Sequence, residues 1–185
     1  MTSAPAAEPT DLTAGSWVID ALHSSVGFSV RHLMVTTVRG RFVEINGAIV
    51  IAEDGAQSVA AEIAIDSIDT GNETRDEHLK SPDYFDAAQF PTATFVSTRV
   101  RADGNDCVVS GDFTLRGVTK LVDLKLEFNG TNPGMGHGEV AGFSASAVLS
   151  RRDFGVGTDT PLDTGGVVLG DKVTITLDIE ALKQP

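Results

Sequence analysis

Apolar and polar residues alternate along most of this chain with a period of two, the signature of strands that bury one face. Between residues 24 and 33 the even positions are Ser24, Val26, Phe28, Val30 and His32, and the odd ones are Ser25, Gly27, Ser29 and Arg31. The same period sets Val59, Ala61, Ile63 and Ile65 against Ala60, Glu62, Ala64 and Asp66, and Cys107, Val109, Phe113 and Leu115 against Ser110, Asp112 and Thr114. It recurs as Val118, Val122, Leu124, Leu126 and Phe128 against Thr119, Asp123, Lys125 and Glu127, and as Val173, Ile175, Leu177 and Ile179 against Thr174, Thr176, Asp178 and Glu180. Turn-forming residues separate the runs: Asp54-Gly55, Asp103-Gly104-Asn105 and the glycine-rich stretch from Asn129 to Gly138. A long apolar run over residues 36–52 contains Gly40 and Gly47 and is predicted to bend at them. Residues 73–89 lose the alternation, carry helix formers interrupted by Pro82, and read as two short helices. About eight to ten short antiparallel strands make an all-β domain, either a barrel or a sandwich.

Composition narrows what such a domain encloses. Val, Ile and Thr are abundant, as suits a pleated wall. Nine Phe stand beside a single Trp and a single Tyr, so the interior has few polar handles and suits a hydrocarbon-like guest better than a sugar. The net charge of −12 and the lack of any Lys/Arg-rich run exclude a phosphate-backbone partner, so no nucleic acid is expected. No stretch is long and apolar enough for a transmembrane segment. Residues 1–14, rich in Ala, Pro and Thr, read as a disordered tail without a secretory leader, ahead of one domain over 15–183. With Cys107 as the lone cysteine there is no internal disulfide, and the expected location is cytoplasmic.

The unusual interval also carries a recognisable pattern. Arg75-Asp76-Glu77-His78-Leu79-Lys80-Ser81, Asp83-Tyr84-Phe85-Asp86 and Phe90-Pro91-Thr92-Ala93-Thr94-Phe95 resemble the signature of the YceI-like family of polyisoprenoid-binding proteins. Asp20-Ala-Leu-His23-Ser24, Phe28-Ser-Val-Arg-His32-Leu33, Gly40-Arg41-Phe42, Leu115-Arg-Gly117-Val-Thr119, Arg152-Asp153-Phe154-Gly155 and Gly170-Asp171 follow in the family's order. The stretch Lys120-Leu121-Val122 departs from it by lacking a proline, and the export signal of periplasmic members is absent. The resemblance implies a lipocalin-like, closed antiparallel β-barrel of about eight strands, capped by the helical insertion at about residues 73–89. It implies binding of a long-chain isoprenoid lipid, a polyprenyl pyrophosphate or an isoprenoid quinone, for transport or storage. No enzyme activity, catalytic residue or cofactor is implied, and the assembly is a monomer or homodimer. The alternatives are a stress-related interaction protein with a filled barrel, or an enzyme acting on an isoprenoid head group.

Parity selects the candidate lining: Val26, Phe28, Val30, Phe42, Phe95, Phe113, Phe128 and Phe143. These residues form either a solid core or, as the resemblance implies, a tunnel wall. His32 ends an apolar run, either donating to a ligand head group or bonded to a backbone carbonyl. Arg75 and His78 on the cap either gate a phosphate or tie the cap down. Several other strings are read structurally. The triplets Asp69-Thr70-Gly71 and Asp163-Thr164-Gly165 are turns, because an aspartic-protease dyad needs far more chain. His23, His32, His78 and His137 lack metal-ligand spacing, so no metal is expected. Cys107 is a buried, inert thiol.

Overall fold

Each alternating run forms a strand. The computed structural model describes residues 12–185 apart from 104, 105, 137 and 164, so His137 and Thr164 and most of the expected tail lie outside the described residues. Leu12 is buried in one cluster with Trp17, Ile49 and Ile51. Eleven strands follow: β1 (Gly15–Ile19), β2 (Ser25–His32), β3 (Thr36–Phe42), β4 (Ile45–Ile51), β5 (Gln57–Ala64), β6 (Ile68–Asp69), β7 (Thr92–Asp103), β8 (Asp106–Leu115), β9 (Val118–Asn132), β10 (Val140–Ser150) and β11 (Leu169–Lys183). They are antiparallel throughout. The ladder runs β1-β4-β5-β7-β8-β9-β10-β11 and closes through β1 on β11, while β2, β3 and β6 extend from the other half of β11. Eight staves therefore form a closed barrel, three of them interrupted: β1 with β2, β3 with β4, and β5 with β6.

Two buried serines patch the interruptions. Between β1 and β2 the Ser24 hydroxyl accepts from Glu180 N–H at 3.0 Å and reaches its carbonyl oxygen at 3.3 Å, standing in for ladder bonds that the break removes. Between β3 and β4 the Ser67 hydroxyl accepts from Glu44 N–H at 3.1 Å and donates to the Ala64 carbonyl at 2.7 Å. Unpaired backbone groups inside a closed wall are costly, so each break has a polar side chain to cover it. The run over 36–52 thus breaks at Val43 and Glu44, not at its glycines. Gly40 instead leaves room for the Phe28 ring on the neighbouring strand, and Gly47 for the backbone of Ala60 and Ala61. Glycine here serves close approach rather than bending.

The insertion holds one helix, α1 (Glu73–Lys80), where two were expected. Asn72 caps it by accepting from Arg75 N–H at 3.0 Å. Pro82 disfavours the helical conformation at Ser81, which is extended at φ −67 and ψ 166. The chain then folds back in tight turns, with Phe85 N–H on Leu79 O and Ala87 N–H on Lys80 O. At the far end of the barrel Trp17, fully buried, packs with Leu12, Ile51, Ala141, Phe143 and Ala181 into a solid floor.

Two outcomes follow from this architecture. Trp17→Ala removes the largest side chain of the floor and is expected to lower unfolding free energy by about 3–5 kcal/mol, read from urea denaturation. At the β1–β2 break, His23 Nδ1 lies 2.8 Å from Asp20 Oδ2 and 3.5 Å from Glu180 Oε1. The hydrogen bond with Asp20 raises the His23 pKa above 6.5 and lowers that of Asp20. The stabilisation from His23 is therefore complete below about pH 6.5 and is lost as pH rises through the elevated folded value. In an NMR titration its midpoint should lie above 6.5 in the native protein and fall in Asp20→Asn.

Candidate functional site

The inward residues of the staves do not meet across the barrel axis. They surround a cavity of about 380 Å³, within the range of small-molecule sites. Its walls are Val, Leu, Ile, Ala and Phe from every strand except β6, together with the cap. Along β2 alone, the lining from Val26 to His32 covers about 20 Å at roughly 3.3 Å per residue. Seven of the eight expected lining residues border this space: Val26, Phe28, Val30, Phe42, Phe95, Phe113 and Phe143. Phe128 does not. It has the right parity but sits beyond the cavity's end, tilted against Phe143 at 5.5 Å between ring centroids in the cluster around Trp17. Rings on β2 and β7 overlie Gly40 and Gly111, where an added Cβ would lie 2.4 Å from a ring atom. These glycines thereby allow Phe28 and Phe95 to lie against the wall.

The polar side chains of the lining gather at the end away from Trp17: His32, Arg75, His78, Tyr84 and Arg151. The three residues expected there from sequence, His32, Arg75 and His78, are brought together on one cavity. Arg75 is largely engaged in holding the cap, with Nε donating to Thr70 Oγ1 at 2.7 Å and Nη2 to Thr70 O at 2.8 Å. Asp76 reinforces this by accepting from Thr70 N–H at 3.0 Å and from its hydroxyl at 2.5 Å. Because α1 buries no residue fully, these bonds to Thr70 substitute for an apolar face. His78 stands edge-on to Tyr84 at 5.0 Å, and its Nε2 is 3.7 Å from Asp83. Neither the His32 ring nor the Tyr84 hydroxyl has a hydrogen-bond partner among the described residues.

Arg151 and Tyr84 were not singled out from sequence. Arg151 is buried and nearly saturated: Nε donates to Gly170 O, Nη1 to Val156 O, and Nη2 to Leu169 O and to Asp159 Oδ1 at 2.6 Å. That last bond holds the Asp159 carboxyl below the usual carboxylate range. Arg151 continues the inward parity of Phe143, Ala145, Ala147 and Leu149, and this was the available signal. Tyr84 gave none beyond being the sole tyrosine.

Chemically the mouth offers donors and, among the described residues, no nucleophile hydrogen-bonded to a base. Cys107 is buried in the wall and its thiol is pushed up by that burial. Among the described residues the one potential metal-ligand group is Asp20, His23 and Glu180, which does not border the cavity. The sequence spacing of the histidines did not reveal it because Glu180 comes from the opposite end of the chain. Among the described residues no helix is long and apolar enough to cross a membrane.

Comparison with known proteins agrees with this geometry. A profile of the YceI-like domain matches residues 17–181. A UPF0312 protein of Staphylococcus aureus (strain MSSA476) is 36% identical over 169 residues, covering 89% of this chain and 96% of the relative. One from Pseudomonas aeruginosa (strain LESB58) is 35% identical over 164 residues, covering 88% and 83%. Among solved structures, Campylobacter jejuni YCEI protein superposes with a TM-score of 0.72 at 29% identity over 84% of this chain and 90% of that one. At the level of fold, Burkholderia cenocepacia BcnA gives 0.75 at 24% identity, covering 88% and 98%. A polyisoprenoid binding domain from Saccharophagus degradans gives 0.67 at 18%, covering 91% and 98%.

The buried Arg151 is the polar keystone of the mouth. Arg151→Ala leaves the carbonyls of Gly170, Val156 and Leu169 without their donor, while Asp159 keeps Arg152 at 2.8 Å, and is expected to destabilise the protein by about 1–3 kcal/mol in urea denaturation.

Proposed function

The chain belongs to the YceI-like family, and from that premise we propose that its barrel carries one long-chain isoprenoid lipid, tail against the Phe and Val wall and head at the His32–Tyr84 mouth. The observation that carries this reading is the segregation of the cavity: hydrocarbon along its length and polar only at one end. An amphipathic chain matches that division, because each of its ends meets a surface of its own polarity. The Saccharophagus degradans structure described as a polyisoprenoid binding domain shares the fold. The open axis counts against a filled barrel whose loops alone act, and the lack of a nucleophile–base pair counts against head-group chemistry. The role is binding for transport or storage, with no catalysis.

The mouth favours a neutral head group over a pyrophosphate. Arg151 spends its donors on carbonyls and Asp159, and Arg75 spends two of its nitrogens on Thr70. Asp83 faces His78, and the whole chain carries −12. A multiply charged pyrophosphate would bring anionic charge into that setting without a free guanidinium fork to match it. A quinone carbonyl or an alcohol needs only one or two donors, which Tyr84 and His32 supply.

Organic extraction of the purified protein followed by mass spectrometry should return a prenylated quinone or alcohol. In direct binding assays geranylgeraniol should bind more tightly than its pyrophosphate. Ala147→Trp, which projects an indole into the lumen, should weaken geranylgeraniol binding at least about tenfold, roughly 1.4 kcal/mol, while the barrel stays folded. A protein that retains neither class of lipid would overturn the reading.

A further inference from the structure

We propose that the β2–β3 turn, Leu33-Met34-Val35, is a docking tip for a phospholipid surface, through which the barrel collects and returns its ligand. This rests on the isoprenoid reading above and adds the place where exchange occurs. Three consecutive apolar side chains stand in solvent there, 42%, 50% and 73% exposed. Their backbone is as unfavourable as their solvation. Leu33 and Met34 have φ of +50 and +61 in a turn closed by Val35 N–H on His32 O at 3.1 Å. Hairpin turns with both central residues at positive φ are the ones for which Asn-Gly is preferred, and branched or bulky side chains are disfavoured there. The β8–β9 turn meets the same demand with Arg116 and Gly117, at φ +50 and +73. The β2–β3 turn breaks two local rules at one place, and such violations mark sites kept for function.

Position identifies the function. His32 precedes the tip and lines the cavity, as do Val38, Val168 and Leu169. Leu33 N–H is bonded to Val168 O at 2.8 Å, so the tip stands directly beyond the polar rim of the tunnel. Arg31 braces it from below, with Nη2 on Met34 O at 3.0 Å and Nη1 on Thr37 Oγ1 at 3.3 Å. A guanidinium behind an apolar tip sits at headgroup depth when the tip enters the acyl boundary. The chain's charge of −12, with Asp163 in the turn facing Met34, gives no attraction to anionic headgroups. The surface it fits is therefore a zwitterionic bilayer, entered by apolar burial and not by charge. Three residues are far too few for the roughly 800 Å² per partner of a stable protein interface, so a second copy is not the occupant.

The test is flotation of the full chain with phosphatidylcholine vesicles, together with the rate at which a fluorescent prenyl alcohol moves from those vesicles into the protein. Wild type should co-float equally at low and high salt. The double variant Leu33→Asn/Met34→Gly installs the sequence that the turn prefers. It should melt at a higher temperature and bind geranylgeraniol in solution as wild type does, yet lose co-flotation and slow the transfer by about tenfold or more. A tip with a merely structural role would show the stability gain alone, with flotation and transfer unchanged, and that result would overturn the proposal. So would a wild type that never co-floats, or a concentration-dependent dimer that the variant abolishes. Should wild type fail to bind geranylgeraniol at all, the ligand reading falls, while flotation still decides the tip.

Discussion

An apolar wall around open space is an expensive thing to keep, and the rest of this protein is arranged around that constraint. Side chains that face a cavity forgo the dispersion contacts that a packed interior would give them. Stability has to come from elsewhere: from the ring of ladder hydrogen bonds that closes through β1 and β11, from the solid floor around Trp17, and from the Arg151 network at the rim. The Phe28 and Phe95 rings set over Gly40 and Gly111 belong to the same economy, because a ring laid on a neighbouring strand gains contact without crossing the axis.

The cap solves a related problem in polar terms. A helix over the mouth of an apolar tunnel cannot offer much apolar surface without filling the tunnel, and α1 has no fully buried residue. It is attached through Thr70, whose backbone and hydroxyl are gripped from both sides by Arg75 and Asp76. A charged pair sharing one threonine gives the cap direction and leaves Leu79 and Phe85 to touch the core below it.

The walls were legible in the sequence because a period of two assigns every residue to a face, and seven of eight expected lining residues follow it. Phe128 shows the limit: parity tells inside from outside but not how far along the axis the hollow extends. The breaks in three staves were not legible. They depend on Ser24 and Ser67 bonding to residues distant in sequence or across a turn, and serine in an alternating run looks like any small polar residue. The cap's second helix was misread because the helix formers after Pro82 were weighed by propensity, whereas the bonds back to Leu79 and Lys80 decide that segment. Arg151 had the right parity and was passed over because an arginine inside an apolar wall violates the expectation that charge faces water.

The ring closes between the two ends of the chain: Trp17 pairs with Lys183, Val18 with Leu182 and Ile19 with Ala181. Contacts of such sequence separation are the slowest to form, and during synthesis the strand that seals the barrel is the last of the eleven to leave the ribosome. Until it does, the β1 edge and the β10 edge are both unpaired and the apolar interior is open to water along its whole length. The nascent protein therefore passes through a stage as an open, greasy sheet, and that interval, rather than the finished barrel, is where its hazard of aggregation lies.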